Sequence, residues 1–344
     1  MIITRTPLRI SFFGGGTDYP AWFEEHGGAV LSTTIDKYLY LHCRYLPPFF
    51  DFKSRIVWSK IELVQQPSEI AHPAIRGVLK WMEISEGVEI HHHGDLPART
   101  GLGSSSAFTV GLLHALHALR GDLVSKRTLA EQAIFVEQQV LRENVGVQDQ
   151  IAATFGGLNR IDIRPDRSFE VAPVVVPGNR LAELQKHLLL VYTGLSRIAS
   201  EIAAEHLVTM KQREGELKAM RAMVDEGQAI LAGKGPLVEF GRLLHESWEL
   251  KRTLSSKVAP PLVNQVYDSA RKAGATGGKL LGAGGGGFIL LFVEPERRRA
   301  VVEALDKFLA VPFQFERGGT QLVLYEAETQ DGHWLQARRD NVKS

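Results

Sequence analysis

An α+β fold in two units is what this sequence predicts, and three observations carry the prediction. Residues 1–45 are rich in β-branched and alternating apolar stretches, residues 211–272 carry helical periodicity, and Pro177-Gly178 punctuates the chain between them. The boundary is expected between Pro177 and His187, giving units at 1–178 and 187–326 and a polar, loosely held tail at 327–344. A length of 344 residues suits about two domains.

The elements follow in order. Strands are expected at 4–13 and at 28–45, the second through AVLSTTIDKYLYLHCRY, whereas the polar and aromatic residues 47–67 show no clear period. A helix is expected over 72–85 and a strand over 87–93. GLGSSSAF then opens an apolar helix that reaches Leu119. A second helix runs over 125–142, where Leu129, Ala133, Val136 and Val140 make an apolar stripe. Strands follow at 158–163, 169–176 and 187–192, then helices at 197–210, 211–231, 237–254 and 261–272. A glycine loop at 274–287 feeds the buried strand FILLFVE. Pro295 opens a helix to Leu309. Residues 313–315 and 320–325 read as a hairpin around Gly318-Gly319.

Composition narrows the function classes. Forty basic and 39 acidic side chains leave a net charge of +1, so neither nucleic acid nor an anionic membrane attracts the chain in bulk. The single cysteine, Cys43, can form neither an internal disulfide nor a cysteine-rich metal site and reads as a buried, inert thiol. The first residues lack a signal-like apolar region, and the longest aliphatic-aromatic run, 288–293, is far too short to span a membrane. A soluble, cytoplasmic protein with a small-molecule partner is expected. A homodimer is compatible with the sequence, which carries no clear interface signal.

Glycine is the biased residue: 33 are present, and twelve of them fall in three loops. In Pro97-Ala98-Arg99-Thr100-Gly101-Leu102-Gly103-Ser104-Ser105-Ser106-Ala107, two glycines and three hydroxyls coincide with a helix start. Two readings fit equally. One is an anion site on the helix N-terminus, with a hydroxyl near Mg²⁺; the other is a tight turn with serine caps. The loop ending at Gly287 resembles a Walker A motif only superficially, because Leu280 stands where the hydroxyl belongs. Gly282, Gly284 and Gly287 match GxGxxG but lead into a strand, which excludes a dinucleotide fingerprint. Close passage of a ligand or of the other unit is expected there. By themselves, Phe13-Gly14-Gly15-Gly16-Thr17-Asp18-Tyr19 could be a hairpin connection, and Arg9 an exposed strand arginine. His91-His92-His93 lacks a supported third metal ligand and reads as packing or solvent exposure.

Taken together and in this order, the three loops resemble the three motifs of the GHMP small-molecule kinase superfamily, over nearly the whole chain to about Glu326. The resemblance implies an N-terminal domain like the second domain of ribosomal protein S5 and a ferredoxin-like C-terminal domain, with ATP and the acceptor between them. LRISFFGGGTDYP resembles the sugar 1-kinase branch that holds the D-glycero-D-manno-heptose 7-phosphate kinases and fucokinase-like domains. That branch transfers a phosphoryl group from ATP, with Mg²⁺, to the anomeric oxygen of a sugar or sugar phosphate.

Site roles follow from the same resemblance. Asp149, in Gly-x-x-Asp-Gln, matches a catalytic aspartate, and Arg9 an arginine that offsets charge on the transferred group. Asp18 matches a sugar-hydroxyl ligand, while Gly15 and Gly16 replace the bulky Glu-His of galactokinases and leave space at the sugar. Gly101, Leu102, Gly103, Ser104, Ser105, Ser106, Gly284 and Gly285 would hold the nucleotide, and Ser105 with Glu137 the Mg²⁺. Without the resemblance, Glu137 reads equally well as a core-edge ion-pair partner. Lys37, Arg44, Arg160 and Arg197 flank the site and are candidates for an acceptor's distal phosphate, though each also reads as a surface charge. A non-catalytic sugar or nucleotide sensor is the competing reading.

Overall fold

The computed structural model describes residues 1–47, 49–195, 210–255 and 257–326. The helix expected at 197–210 and the tail at 327–344 lie, but for the last residue of that helix, outside them, and so does Arg197.

Two sheets organise the chain. The first is built on β1 (Ile2–Phe13) and β2 (Gly28–Tyr45), joined by a short helix α1 (Pro20–His26). These long strands pair antiparallel from Ile2 opposite Cys43 to Phe13 opposite Leu31. Around them come β3 (Ser54–Val57), β4 (Ile61–Val64), β5 (Val88–Gly94), β6 (Leu158–Ile163) and β7 (Phe169–Pro173). α2 (Pro73–Trp81) lies between β4 and β5. α3 (Ser104–Leu119) is apolar around nearly its whole circumference, so it is buried, packed on β1 and β2. α4 (Lys126–Phe135) runs on into a π-turn at Val136–Val140, and α5 (Gln148–Phe155) follows.

After α6 (Gly178–His187), β8 (Leu188–Tyr192) enters a second sheet. Its helices are α7 (Glu214–Ala232), α8 (Val238–Leu254), α9 (Pro261–Lys272) and α10 (Arg298–Ala304). Its other strands are β9 (Ala275–Leu280), β10 (Phe288–Val293) and β11 (Leu309–Val311), in the order β11-β8-β10-β9. All six residues of β10 are buried, which is why FILLFV shows no polar alternation. Phe240 of α8 packs edge-on against Phe12 and Phe13 of β1, at centroid distances of 5.3 and 5.1 Å, and ties the two units together.

Three expectations are corrected. The 274–287 segment is not all loop: residues Ala275–Leu280 form β9, leaving a glycine turn at 282–287. The helix expected from Pro295 to Leu309 is only α10, preceded by a 3₁₀ turn, and Leu309 begins β11. The last two strands do not pair with each other as a hairpin. β12 (Phe315–Glu316) joins β2 and β13 (Gln321–Tyr325) joins β1, so a unit drawn at 187–326 includes two strands of the first sheet. Among the described residues no helix is long and apolar enough to cross a membrane.

Candidate active site

A cavity of about 780 Å³ opens where β1, the start of α3, α8 and β9 meet. Arg9 reaches it from β1, buried, because the pleat that sends Leu8 and Ile10 into one core face sends Arg9 the other way. Its guanidinium grips Asp149 on both oxygens, with Nε donating to Oδ1 at 2.6 Å and Nη2 to Oδ2 at 2.8 Å. Nη1 donates to the Gly101 carbonyl at 2.7 Å. One side chain therefore fixes the carboxylate on α5 against the loop that precedes α3. The fork geometry requires arginine.

Gly103 caps α3 in the left-handed region, at φ 75°. A Cβ there would lie 3.2 Å from Arg9 Cγ and 3.3 Å from the Asp149 carboxylate. Replacing Gly103 by Ala is expected to lower stability by about 1–2 kcal/mol from the backbone alone, and to push the Arg9–Asp149 pair out of position. A melting curve with a parallel kcat measurement checks it: a variant with wild-type kcat would contradict the close fit.

Asp18 is buried at the end of the first glycine loop, accepting from the Gly16 N–H at 2.9 Å and the Gln148 N–H at 3.4 Å. Burial first, then the neighbouring Asp149 charge, pushes its carboxyl up to about 6. Gly146 leaves it room, since a Cβ there would fall 1.9 Å from Asp18 Oδ2. Gly15 and Gly16 line the same wall without side chains.

Glu137 sits in the π-turn after α4, fully buried beneath the start of α3. Ser106 donates to its Oε2 at 2.8 Å and Gln150 Nε2 donates to the same oxygen at 2.5 Å, while Oε1 has no hydrogen-bond partner among the described residues. Burial pushes the carboxyl up to about 7, against the hydrogen bonds from Ser106 and Gln150 that lower it. The serine in contact with Glu137 is thus Ser106, whereas Ser105, expected beside it, is exposed and faces the cavity with Ser104. One residue, about 100° of helical rotation, separates the two side chains.

Further placements differ from expectation. Gly284 packs against Val258 and the Gly285 N–H donates to the Val258 carbonyl at 2.9 Å; Gly282 and Ala283 are the ones on the cavity wall. Leu102 is buried, its carbonyl accepting from the Arg9 N–H at 3.0 Å, and acts through its backbone. The close passage expected at the third loop is that of the second loop: Cβ atoms at Gly282 and Gly287 would strike Gly101 and Thr100. Lys37, Arg44 and Arg160 do not line the cavity. They pair with Asp36, Glu89, and both Asp162 and Asp225, respectively.

Two features escaped the sequence. Lys251 of α8 and Lys279 of β9 are cavity-lining cations. At the other end, His72 stacks on Phe108 at 4.8 Å with Trp58 edge-on to His72 at 5.0 Å, forming an aromatic wall. His92, the middle histidine of the triplet, joins this wall because it faces opposite to His91 and His93. Burial first, then the charges of His72 and His93, pushes it down to about 4, so it is neutral at neutral pH.

The cavity thus has an aromatic end, a helix N-terminus in the middle and a carboxylate–arginine pair facing it. The profile described as the GHMP kinases N terminal domain matches residues 69–157, and that of the GHMP kinases C terminal region matches 228–311. A D-glycero-alpha-D-manno-heptose 7-phosphate kinase of Campylobacter jejuni is 30% identical over 322 residues, covering 89% of this chain and 93% of that one. The chain belongs to the GHMP kinases.

Two further relatives are similar over most of this chain. The L-fucokinase/L-fucose-1-P guanylyltransferase of Bacteroides fragilis is 28% identical over 83% of this chain and 34% of its own length. The crystal structure of a D-glycero-D-manno-heptose 1-phosphate kinase from Bacteroides thetaiotaomicron superposes with a TM-score of 0.78 over 95% of this chain and 100% of that one, at 24% identity. The two-domain α+β architecture is that of this superfamily. The protein is an ATP-dependent phosphotransferase, and its acceptor is a small sugar or sugar phosphate.

Proposed function

We propose that this GHMP kinase transfers the γ-phosphoryl group of ATP to the anomeric hydroxyl of D-glycero-D-manno-heptose 7-phosphate, giving heptose 1,7-bisphosphate for nucleotide-activated heptose synthesis. The observation that carries the proposal is the Arg9–Asp149 pair held against Gly101 at the start of α3, beside a wall of Gly15 and Gly16. The 30% identity to the Campylobacter jejuni heptose kinase supports the choice of sugar.

The nucleotide would lie along the cavity with its base on the His72–Phe108 wall and its phosphates at the N–H groups that open α3. Mg²⁺ suits the residues present, because Glu137 Oε1 is a buried oxygen without a hydrogen-bond partner among the described residues and Ser105 offers a hydroxyl at the cavity. Glu137 and Ser105 would hold the ion, with Ser106 orienting the carboxylate. Held there, the ion would supply positive charge to offset that of the phosphates.

Asp18 would take sugar hydroxyls and turn the anomeric carbon toward Asp149. Each Asp149 oxygen keeps a lone pair beyond its bond to Arg9, enough to accept from the anomeric hydroxyl. As the new P–O bond forms, the bond from the γ-phosphorus to the bridging oxygen breaks, its electrons leave with ADP, and Asp149 takes the hydroxyl proton. Arg9 offsets the charge gathering on the transferred group.

The test is ADP release with a panel of heptose 7-phosphate, free heptose, fucose, galactose and mannose. Heptose 7-phosphate should lead in kcat/KM by about 10²-fold or more. Turnover of free fucose with none of heptose 7-phosphate would instead establish a fucose 1-kinase, the second reading that the Bacteroides fragilis relative supports.

A further inference from the structure

We propose that Lys251 and Lys279 form, together with Arg9, a seat for a phosphate dianion on the C-terminal side of the cavity. The inference rests on the kinase reading of the site and not on which sugar it takes.

Lys279 is buried, Lys251 is partly buried and both line the cavity, yet neither has a carboxylate at salt-bridge distance among the described residues. Lys279 Nζ donates to the Phe12 carbonyl at 2.7 Å. Lys251 Nζ donates to the carbonyls of Leu280, at 2.9 Å, and Gly282. An ammonium has three N–H donors, so Lys279 keeps two and Lys251 one. Arg9, by contrast, is matched by Asp149, and Lys37, Arg44 and Arg160, away from the cavity, by their own acids.

A brace between the two units is the plainer role, with Lys279 reaching across to β1. A buried ammonium is a poor choice for that task, because an apolar side chain of similar volume holds as well without desolvating a charge. What an unmatched pair of ammonium groups offers is a place where a tetrahedral dianion completes their hydrogen bonding. The charges around them agree. Burial and the proximity of Arg9 push Lys251 down to about 7, with Asp18 acting in the opposite sense, and burial, Lys251 and Arg9 push Lys279 well below its ordinary value. An arriving dianion relieves this repulsion.

The dianion can come from the nucleotide, as its terminal phosphoryl group, or from the acceptor, as a phosphate on the sugar. Lys251→Met and Lys279→Met are compared with wild type in binding two ligand pairs: a non-hydrolysable ATP analogue against ADP, and heptose 7-phosphate against free heptose. The affinity ratio within at least one pair should fall about tenfold or more; the pair that loses it identifies the source. The free variants should melt at or above the wild-type temperature. Wild-type ratios in both pairs overturn the proposal, as does a lowered melting temperature with the ratios intact, which is the signature of a brace. Glutamine variants, keeping one N–H for the carbonyls, decide the same ratios where a methionine variant does not fold. If wild-type protein ignores heptose 7-phosphate, the heptose reading fails alone, and the nucleotide pair with inorganic phosphate binding still decides on the lysines.

Discussion

Replacing Asp149 by Asn is expected to lower kcat by about 10³-fold, with the KM for ATP changed little. The amide keeps the shape of the carboxylate but presents one acceptor and one donor where Arg9 requires two acceptors. Nε or Nη2 of Arg9 therefore loses its partner, although the bond from Nη1 to the Gly101 carbonyl remains. Arg9 is buried, so the loss costs about 1–3 kcal/mol of stability, a visible but survivable drop in melting temperature. The larger effect is chemical. The amide cannot accept the proton of the anomeric hydroxyl, and Arg9 is left to swing toward the phosphate that it would otherwise only touch in transfer. Steady-state kinetics separate these effects, because an interaction made only in the transition state lowers kcat and kcat/KM together. Turnover within a few-fold of wild type would remove Asp149 from the reaction and return the Arg9 pair to a structural role.

That Asp149 could be singled out at all depended on its match to a family motif, and such motifs are local, which marks the limit of what the sequence made legible. Helix α9 and strand β2 have the expected bounds because the helix carries a clear apolar period and the strand is a long β-branched and apolar run. Strand β9 was hidden by its own glycines, which are there because another backbone passes: a Cβ at Gly277 would fall 1.8 Å from the Gly241 carbonyl of α8. Strands β3 and β4, four residues each, are too short to show a period, and β12 and β13 pair with strands about 280 residues or more away. The site divides in the same way. Arg9, Asp18 and Asp149 lie in recognisable local patterns, and the cavity brings them together. Lys251 and Lys279 look like surface charges in sequence, because burial is a property of the assembled units and not of their neighbours in the chain. The choice of Ser106 over Ser105 as the partner of Glu137 turned on one residue of helical phase in α3, and adjacent serines give no pattern that would tell them apart.

Glu137→Gln should make the free protein more stable above neutral pH while reducing Mg²⁺-dependent turnover by about 10²-fold or more. The folded-state carboxyl titrates near 7, raised from 4.5 by burial, so between those values the folded protein binds a proton that the unfolded chain does not. The stability this contributes is complete below about 4.5 and is lost as pH rises through 7. Above that the wild type carries a buried carboxylate at a cost on the order of 3 kcal/mol. Asp18, raised from 3.8 to about 6, adds a loss of the same sign at lower pH. Glutamine does not titrate, and its amide oxygen still accepts from Ser106 and Gln150, so the variant should keep its melting temperature between pH 5 and 8 better than wild type does. The gain has a functional counterpart. In wild type, Mg²⁺ with a non-hydrolysable ATP analogue should recover the lost stability at pH 8, because on the proposed site the cation would neutralise the buried carboxylate. The same addition should do far less for the variant, which has no charge to neutralise. Thermal unfolding at pH 5 and 8, with and without Mg²⁺ and the analogue, reads both halves in one experiment. An equal ligand-induced shift in wild type and variant would place the metal elsewhere, and a variant less stable than wild type at pH 8 would mean that Glu137 is ionised and paired in the free protein.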